Sequence, residues 1–225
     1  MTHLEGALPD LAGCGLVISE PTVVVHLGSA LVCGEWVIVE GPDGCGKTTL
    51  AKRIERECGL EYARYSGLSS SEGPTDTGII LWWDQQFDKA DENSHVYDRC
   101  FYISEQVYQM VMPERQLLMP GHSMAEGIYR VWDVNPLIIF CLPPQEEFEK
   151  NTFQAGRPKL LGVDDRLMRK TYWQYWCMYG LWSNCLFDNV RRHDYTRDED
   201  GSLAIGWVKE YLAYRGKETV SGTNR

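Results

Sequence analysis

Glu40-Gly41-Pro42-Asp43-Gly44-Cys45-Gly46-Lys47-Thr48-Thr49 stands directly behind the apolar run Trp36-Val37-Ile38-Val39. Behind it, Lys47 to Cys58 places Leu50 and Ile54 on one helical face, with Arg53 and Glu57 spaced to pair on the other. A short apolar run of this kind suits a buried parallel strand. The order is therefore strand, glycine-rich loop, helix. Gly41, Gly44 and Gly46 allow the backbone to turn its N–H groups inward, where side chains would block the approach. The helix that starts near Lys47 points its positive end at the same place. Gly41 to Thr48 fits the pattern G-x-x-x-x-G-K-[ST], whose lysine reaches β- and γ-phosphate oxygens and whose hydroxyl serves Mg²⁺. Gly41, Pro42, Asp43, Gly44, Cys45, Gly46, Lys47, Thr48 and Thr49 are thus the expected ATP-binding residues.

Working outward, Leu60–Tyr65, Ser94–Asp98, Pro136–Leu142 and Val190–Tyr195 read as four more strands. Ile79–Phe87, Phe101–Met112, Asp164–Leu186 and Leu203–Tyr214 read as helices, and Pro143-Pro144 opens another. Gly67–Gly78 and Gly156–Gly162 read as loops. Strands alternating with helices predict an α/β fold: a parallel sheet with helices on both faces and a mobile lid at about 150–170. Residues 1–34 form an extension of unknown role, in which Thr22–His26 could be a strand. Residues 35–215 form the P-loop domain, and 216–225 a flexible tail.

Composition narrows the function. The 225 residues carry 32 acidic and 22 basic side chains, a net charge of −10. That opposes a broad nucleic-acid surface and leaves room only for a local basic groove. The eight cysteines (14, 33, 45, 58, 100, 141, 177 and 185) form no CxxC pair. They read as reduced, mostly buried thiols of a cytoplasmic protein, not as a zinc cluster. No apolar stretch has membrane-spanning length, and MTHLEGALPDL lacks the pattern of a signal peptide. GTPase switches need NKxD, which is missing, and the DxxG at Asp198–Gly201 lies past the last predicted strand. No LSGGQ-like signature supports a transporter ATPase, and the chain is too short for a helicase motor. A small kinase remains, with a P-loop ATPase or nucleotide-binding module lacking an acceptor as the alternative.

The loop resembles that of thymidylate kinases, which read close to EGxDGxGKTT. A second match is Asp98-Arg99 at the end of the third predicted strand, with Ser104 six residues after the aspartate. The resemblance spans roughly residues 35–195. Two features depart from it. The family's Arg-Glu-Pro segment is replaced by Tyr65-Ser66-Gly67-Leu68-Ser69, and Tyr108 sits one place late. The run DRCFYISEQVY (98–108), together with Gly162-Val163 and Tyr172, is more similar to a bacteriophage subgroup. That subgroup includes free deoxynucleoside monophosphate kinases, and kinases acting on 5-hydroxymethyluracil in DNA during DNA modification. The resemblance implies a cytoplasmic, Mg²⁺/ATP-dependent enzyme. Its partner is a small-molecule nucleotide or hydroxymethyluracil-containing DNA, not a membrane.

Roles follow for individual residues. Asp98 ends a strand, where it can order Mg²⁺ alongside Thr48 or take a proton from an attacking hydroxyl. A solvated strand-end carboxylate is the plainer alternative. Arg99 can grip phosphate bidentately, and the resemblance directs it at the acceptor phosphate. By resemblance Asp43 faces the acceptor sugar or the metal, while a turn-forming aspartate explains it equally simply. Lys150, Arg157, Lys159, Arg166, Arg169 and Lys170 form a basic cluster suited to a closing lid or to a solvated helix face. Arg157 and Arg166 are the lid candidates, so Lys47, Asp98, Arg99 and Arg157 are the expected catalytic set. Trp82, Trp83 and Phe87 suit either a base-stacking acceptor pocket or the core. Tyr172, Trp176 and Tyr179, with Trp173 beside them, suit packing first and a homodimer interface second. By fold analogy alone, Asp194-Tyr195-Thr196 lies near the adenine.

Overall fold

The computed structural model describes residues 34–64, 76–90, 92, 94–113, 123–153, 164–185 and 188–222, all within one compact unit. Five strands form one sheet: β1 (Trp36–Glu40), β2 (Glu61–Ala63), β3 (His95–Asp98), β4 (Leu137–Cys141) and β5 (Val190–His193). The order is β2-β3-β1-β4-β5, and every pairing is parallel. β1 sits centrally, with Val39 beside Asp98 of β3 on one side and Ile139 of β4 on the other.

Seven helices complete the described part: α1 (Lys47–Cys58), α2 (Asp76–Asp88), α3 (Phe101–Val111), α4 (Met124–Val134), α5 (Gln145–Thr152), α6 (Asp165–Cys185) and α7 (Ser202–Gly222). They cover both faces of the sheet. Successive strand side chains point to opposite faces, and the two cores follow that alternation. Trp36, Ile38, Tyr97, Ile138 and Phe140 pack with α2, α3, α4 and α6. Val37, Val39, Val96, Leu137, Ile139 and Cys141 pack with α1, α5 and α7. Every residue of β1 and β4 is buried, which is why Trp36–Val39 and Leu137–Cys141 read as unbroken apolar runs.

Several boundaries differ from the sequence reading. α2 begins at Asp76, inside the stretch read as a loop over 67–78, and β2 has only three residues. β5 ends at His193, because the Asp194 carboxylate accepts from Thr196 N (3.1 Å) and Oγ1 (2.7 Å) and folds the chain into a turn. α7 runs on to Gly222, through most of the stretch read as a flexible tail. α4 was not anticipated. Its glycine at position 127 lowers helix propensity, yet Ser123 caps the N-terminus, accepting from Glu126 N at 3.4 Å. Gly127 is required there: a Cβ would lie 2.0 Å from the Tyr102 ring of α3. The DxxG at 198–201 is a helix start, since the Asp198 carboxylate accepts from Leu203 N and Ala204 N of α7. The candidate strand at 22–26, the segment 65–69, the lid arginine Arg157 and the pair Gly162-Val163 lie outside the described residues. No described helix is long and apolar enough to cross a membrane.

Candidate active site

β1 turns sharply as it leaves the sheet. Gly41 has φ +137°, and a Cβ there would stand 2.6 Å from the Cys141 carbonyl oxygen of β4. Only glycine lets the loop pass that close. Gly46 ends the loop in the left-handed region and precedes α1 with no side-chain cap. The first N–H groups of α1 are therefore left for an anion.

Lys47 is buried, and its Nζ donates to the Pro42 carbonyl inside the loop. The same Nζ lies 3.7 Å from Asp43 Oδ1. Burial pushes the Lys47 ammonium pKa down, and the nearby Arg99 charge adds to that, while Asp43 opposes both. Thr48 Oγ1 donates to Asp98 Oδ2 at 2.6 Å, and Tyr62 hydroxyl donates to the same oxygen at 2.9 Å. Arg64 stands 3.8 Å from it. Thr48 and Asp98 thus offer two hard oxygens side by side, which fits Mg²⁺; that ion takes one or two protein ligands and completes its shell with phosphate and water. Among the described residues, no cluster of three or more His, Cys, Asp or Glu could hold a metal by itself.

Arg99 begins the turn after β3 with φ +80°, an uncommon backbone state for a side-chain-bearing residue. Its own N–H is spent on the Val39 carbonyl at 3.0 Å. The guanidinium is divided among three partners. Nη2 donates to Asp43 Oδ1, while Nη1 donates to Tyr175 hydroxyl (3.1 Å) and Ser104 Oγ (3.4 Å). Asp43 therefore pairs with both Arg99 and Lys47. Burial would raise its carboxyl, but the two cations outweigh that and hold it down to about 2.

Glu40, the last residue of β1, was not singled out by the sequence reading, nor was Tyr175 of α6. Glu40 is fully buried. Its Oε1 accepts from Cys100 N, and its Oε2 accepts from Gly41 N at 3.2 Å. Ser104 hydroxyl and Tyr175 hydroxyl approach the same carboxylate at 3.1–3.2 Å. Burial raises its pKa, opposed chiefly by the Arg99 charge and the Cys100 N–H. A charged residue closing an otherwise apolar strand was the available signal for Glu40. Tyr175 lies one position off the aromatic stripe and had none.

The other site residues separate clearly. Cys45 is buried in the core and its thiol is pushed up to about 12, so it packs. Thr49 is exposed on α1. Trp83 and Phe87 are core residues: Phe87 stacks on Trp36 with ring centroids 5.5 Å apart. Tyr172 also packs, stacked on Phe148 at 4.6 Å, and Trp176 lies under Arg192 at 4.7 Å. Of the basic cluster, Lys150 pairs with Glu147 and Arg169 with Glu149. Arg166 and Lys170 have no carboxylate partner among the described residues. They line an outer groove of about 440 Å³ with Met110, Trp173 and Gln174. Tyr195 sits beside the loop: its ring lies 3.7 Å from where a Cβ of Gly46 would stand, and its hydroxyl accepts from Asn151.

No protein-family model matches this chain, and no curated protein matches it. Solved structures do. Deoxyadenosine kinase from M. mycoides with bound dATP is similar at TM-score 0.54 and 12% identity, over 79% of this chain and 99% of that one. The YorR protein from Bacillus subtilis, in complex with phosphorylated GDP, is similar at TM-score 0.52 and 17% identity, over 77% of this chain and 95% of that one. At such identities the likeness establishes architecture: the chain has the P-loop nucleotide-kinase fold.

Proposed function

We propose that this protein transfers the γ-phosphoryl group of ATP to a thymidine-like pyrimidine deoxynucleoside monophosphate. One observation carries the reading: Lys47 of the phosphate loop and Arg99 at the end of β3 both pair with the same Asp43 carboxylate. Two cations held one carboxylate apart suit a reaction between two anions, with one charge for the donor and one for the acceptor. The loop amides and Lys47 hold the triphosphate, and Arg99 grips the acceptor phosphate. An acceptor oxygen attacks the γ-phosphorus, the bond to the β–γ bridging oxygen breaks, and ADP departs. Thr48 and Asp98 are the residues that would hold Mg²⁺, which would supply charge neutralisation for the transferred phosphoryl group. A phosphate acceptor is already anionic and needs no base, so Asp98 serves the metal side in this reading. The architecture shared with a deoxyadenosine kinase supports a deoxyribose-bearing acceptor.

A second reading is phosphorylation of 5-hydroxymethyluracil in DNA, where Asp98 would take the hydroxyl proton. It is favoured by the outer groove, in which Arg166 and Lys170 flank a half-exposed Trp173 (50%), within a protein of net charge −10. Labelled ATP offered with each deoxynucleoside monophosphate, and separately with hydroxymethyluracil-containing duplex, separates the two. Label in a free diphosphate is the expected outcome. Label only in DNA would replace the first reading with the second, and ATP consumption that no acceptor stimulates would overturn both.

A further inference from the structure

Glu40 is the most heavily bonded carboxylate of the site. Its two oxygens are each fixed as acceptors by a backbone donor, Oε1 by Cys100 N and Oε2 by Gly41 N. An N–H cannot be turned around, so neither oxygen can be exchanged for a donor. The hydroxyls of Ser104 and Tyr175 meet this carboxylate on one side and Arg99 Nη1 on the other. A guanidinium only donates. Each hydroxyl must therefore accept from Arg99 and direct its single proton away from it. The carboxylate at position 40 is the acceptor that receives those protons, directly or through the 3.2 Å contact between Tyr175 hydroxyl and Ser104.

We infer that Glu40 is a positioning residue: through Ser104 and Tyr175 it sets the hydrogen-bond polarity that aims Arg99. This rests on the assignment of Arg99 to the acceptor phosphate. The relay joins three elements, the end of β1, the first turn of α3 and the middle of α6. The Arg99 N–H held by Val39 and the Cys100 N–H held by Glu40 fix the peptides on either side of Arg99, whose φ is positive. An amide at position 40 cannot substitute. Either orientation of a glutamine sets its NH₂ against a backbone N–H, and the NH₂ would donate to hydroxyls that already accept from Arg99.

The test is a cycle of Glu40→Gln, Arg99→Lys and the double variant, assayed for transfer and for MgATP affinity. Glu40→Gln is expected to raise the acceptor KM about ten- to a hundredfold, the size of losing a charge-assisted hydrogen bond. MgATP affinity should stay within about twofold. In the Arg99→Lys background the same change should cost less than about twofold, because its route of action is gone. Effects that multiply in the double variant would overturn the inference, as would an acceptor KM unchanged by Glu40→Gln. Tyr175→Phe deletes one bridge while keeping the ring, and it replaces Glu40→Gln in the cycle if the latter does not fold. A second readout needs no turnover. The arginine side-chain ¹H–¹⁵N signals of Arg99, identified by their loss in Arg99→Lys, should shift or broaden in Glu40→Gln and Tyr175→Phe. Wild-type positions and widths in both would reject the relay. If the wild type transfers to no acceptor, the proposed function fails, and these signals alone decide the role of Glu40.

Discussion

At the scale of single residues, the site is a sequence of charges that hold one another in place. Asp43 links Lys47 and Arg99, and Asp98 links Thr48 and Tyr62. Lys47→Ala and Asp98→Asn are each expected to lower transfer at least about a hundredfold, the usual cost of removing one group that stabilises developing charge. Steady-state assays check this, and wild-type turnover in Asp98→Asn would remove that residue from the reaction. Asp43 also predicts a pH effect. Its folded pKa, about 2, lies below its ordinary value of 3.8, so its contribution is complete above about pH 4 and fades as pH falls toward 2. Thermal melts of wild type and Asp43→Asn should therefore differ at pH 6 and converge toward pH 2. A gap that stays constant would mean that the Arg99 pair carries no net stability. Lys47, Asp98, Arg99 and the loop glycines were legible because each stands in a spaced motif. Glu40 heads the same motif as the loop glycines, but its role, like that of Tyr175, was not legible, because their partners lie 60 and 135 positions away in the chain.

At the scale of elements, the closest approaches are made by glycine. Gly41→Ala would set a Cβ against the β4 backbone and force a side chain into the positive-φ region. It should cost at least about 1–3 kcal/mol and abolish MgATP binding, because the loop can no longer turn over β4. Gly127→Ala would drive α4 away from Tyr102 of α3. Here about 1–3 kcal/mol of overpacking should appear in denaturant melts, with MgATP affinity unchanged. A neutral melt would show that the α3–α4 contact is slack. The strands and α1 were legible because their periodicity is local, and α1 ends where the pattern does, at Cys58. α4 was hidden by Gly127, whose purpose is a ring on another helix. Trp83 and Phe87 could not be sorted between pocket and core by spacing, since both environments accept aromatic faces; only their burial beside Trp36 separates them.

At the scale of the whole molecule, the parallel order β2-β3-β1-β4-β5 brings the ends of β1 and β3 together. The glycine-rich loop and Asp98-Arg99, distant in the chain, thereby become neighbours. An acidic protein with Lys47 and Arg99 gathered at one loop should depend on those cations for anion binding, and saturating MgATP should stabilise it. At a hundred times its Kd, a ligand of the folded state adds about 2.7 kcal/mol. The fold was readable as a whole because alternating buried strands and helices admit few arrangements. The identity of the proposed acceptor was not, since a substrate choice rests on side chains brought together from separate elements. Isothermal titration of the wild type and Lys47→Ala with MgATP tests the central claim most directly. The wild type is expected to bind, with affinity at least tenfold weaker in Lys47→Ala, in line with the loss of one buried charge contact. Wild-type protein that shows no heat of binding and no thermal shift with MgATP would contradict the account.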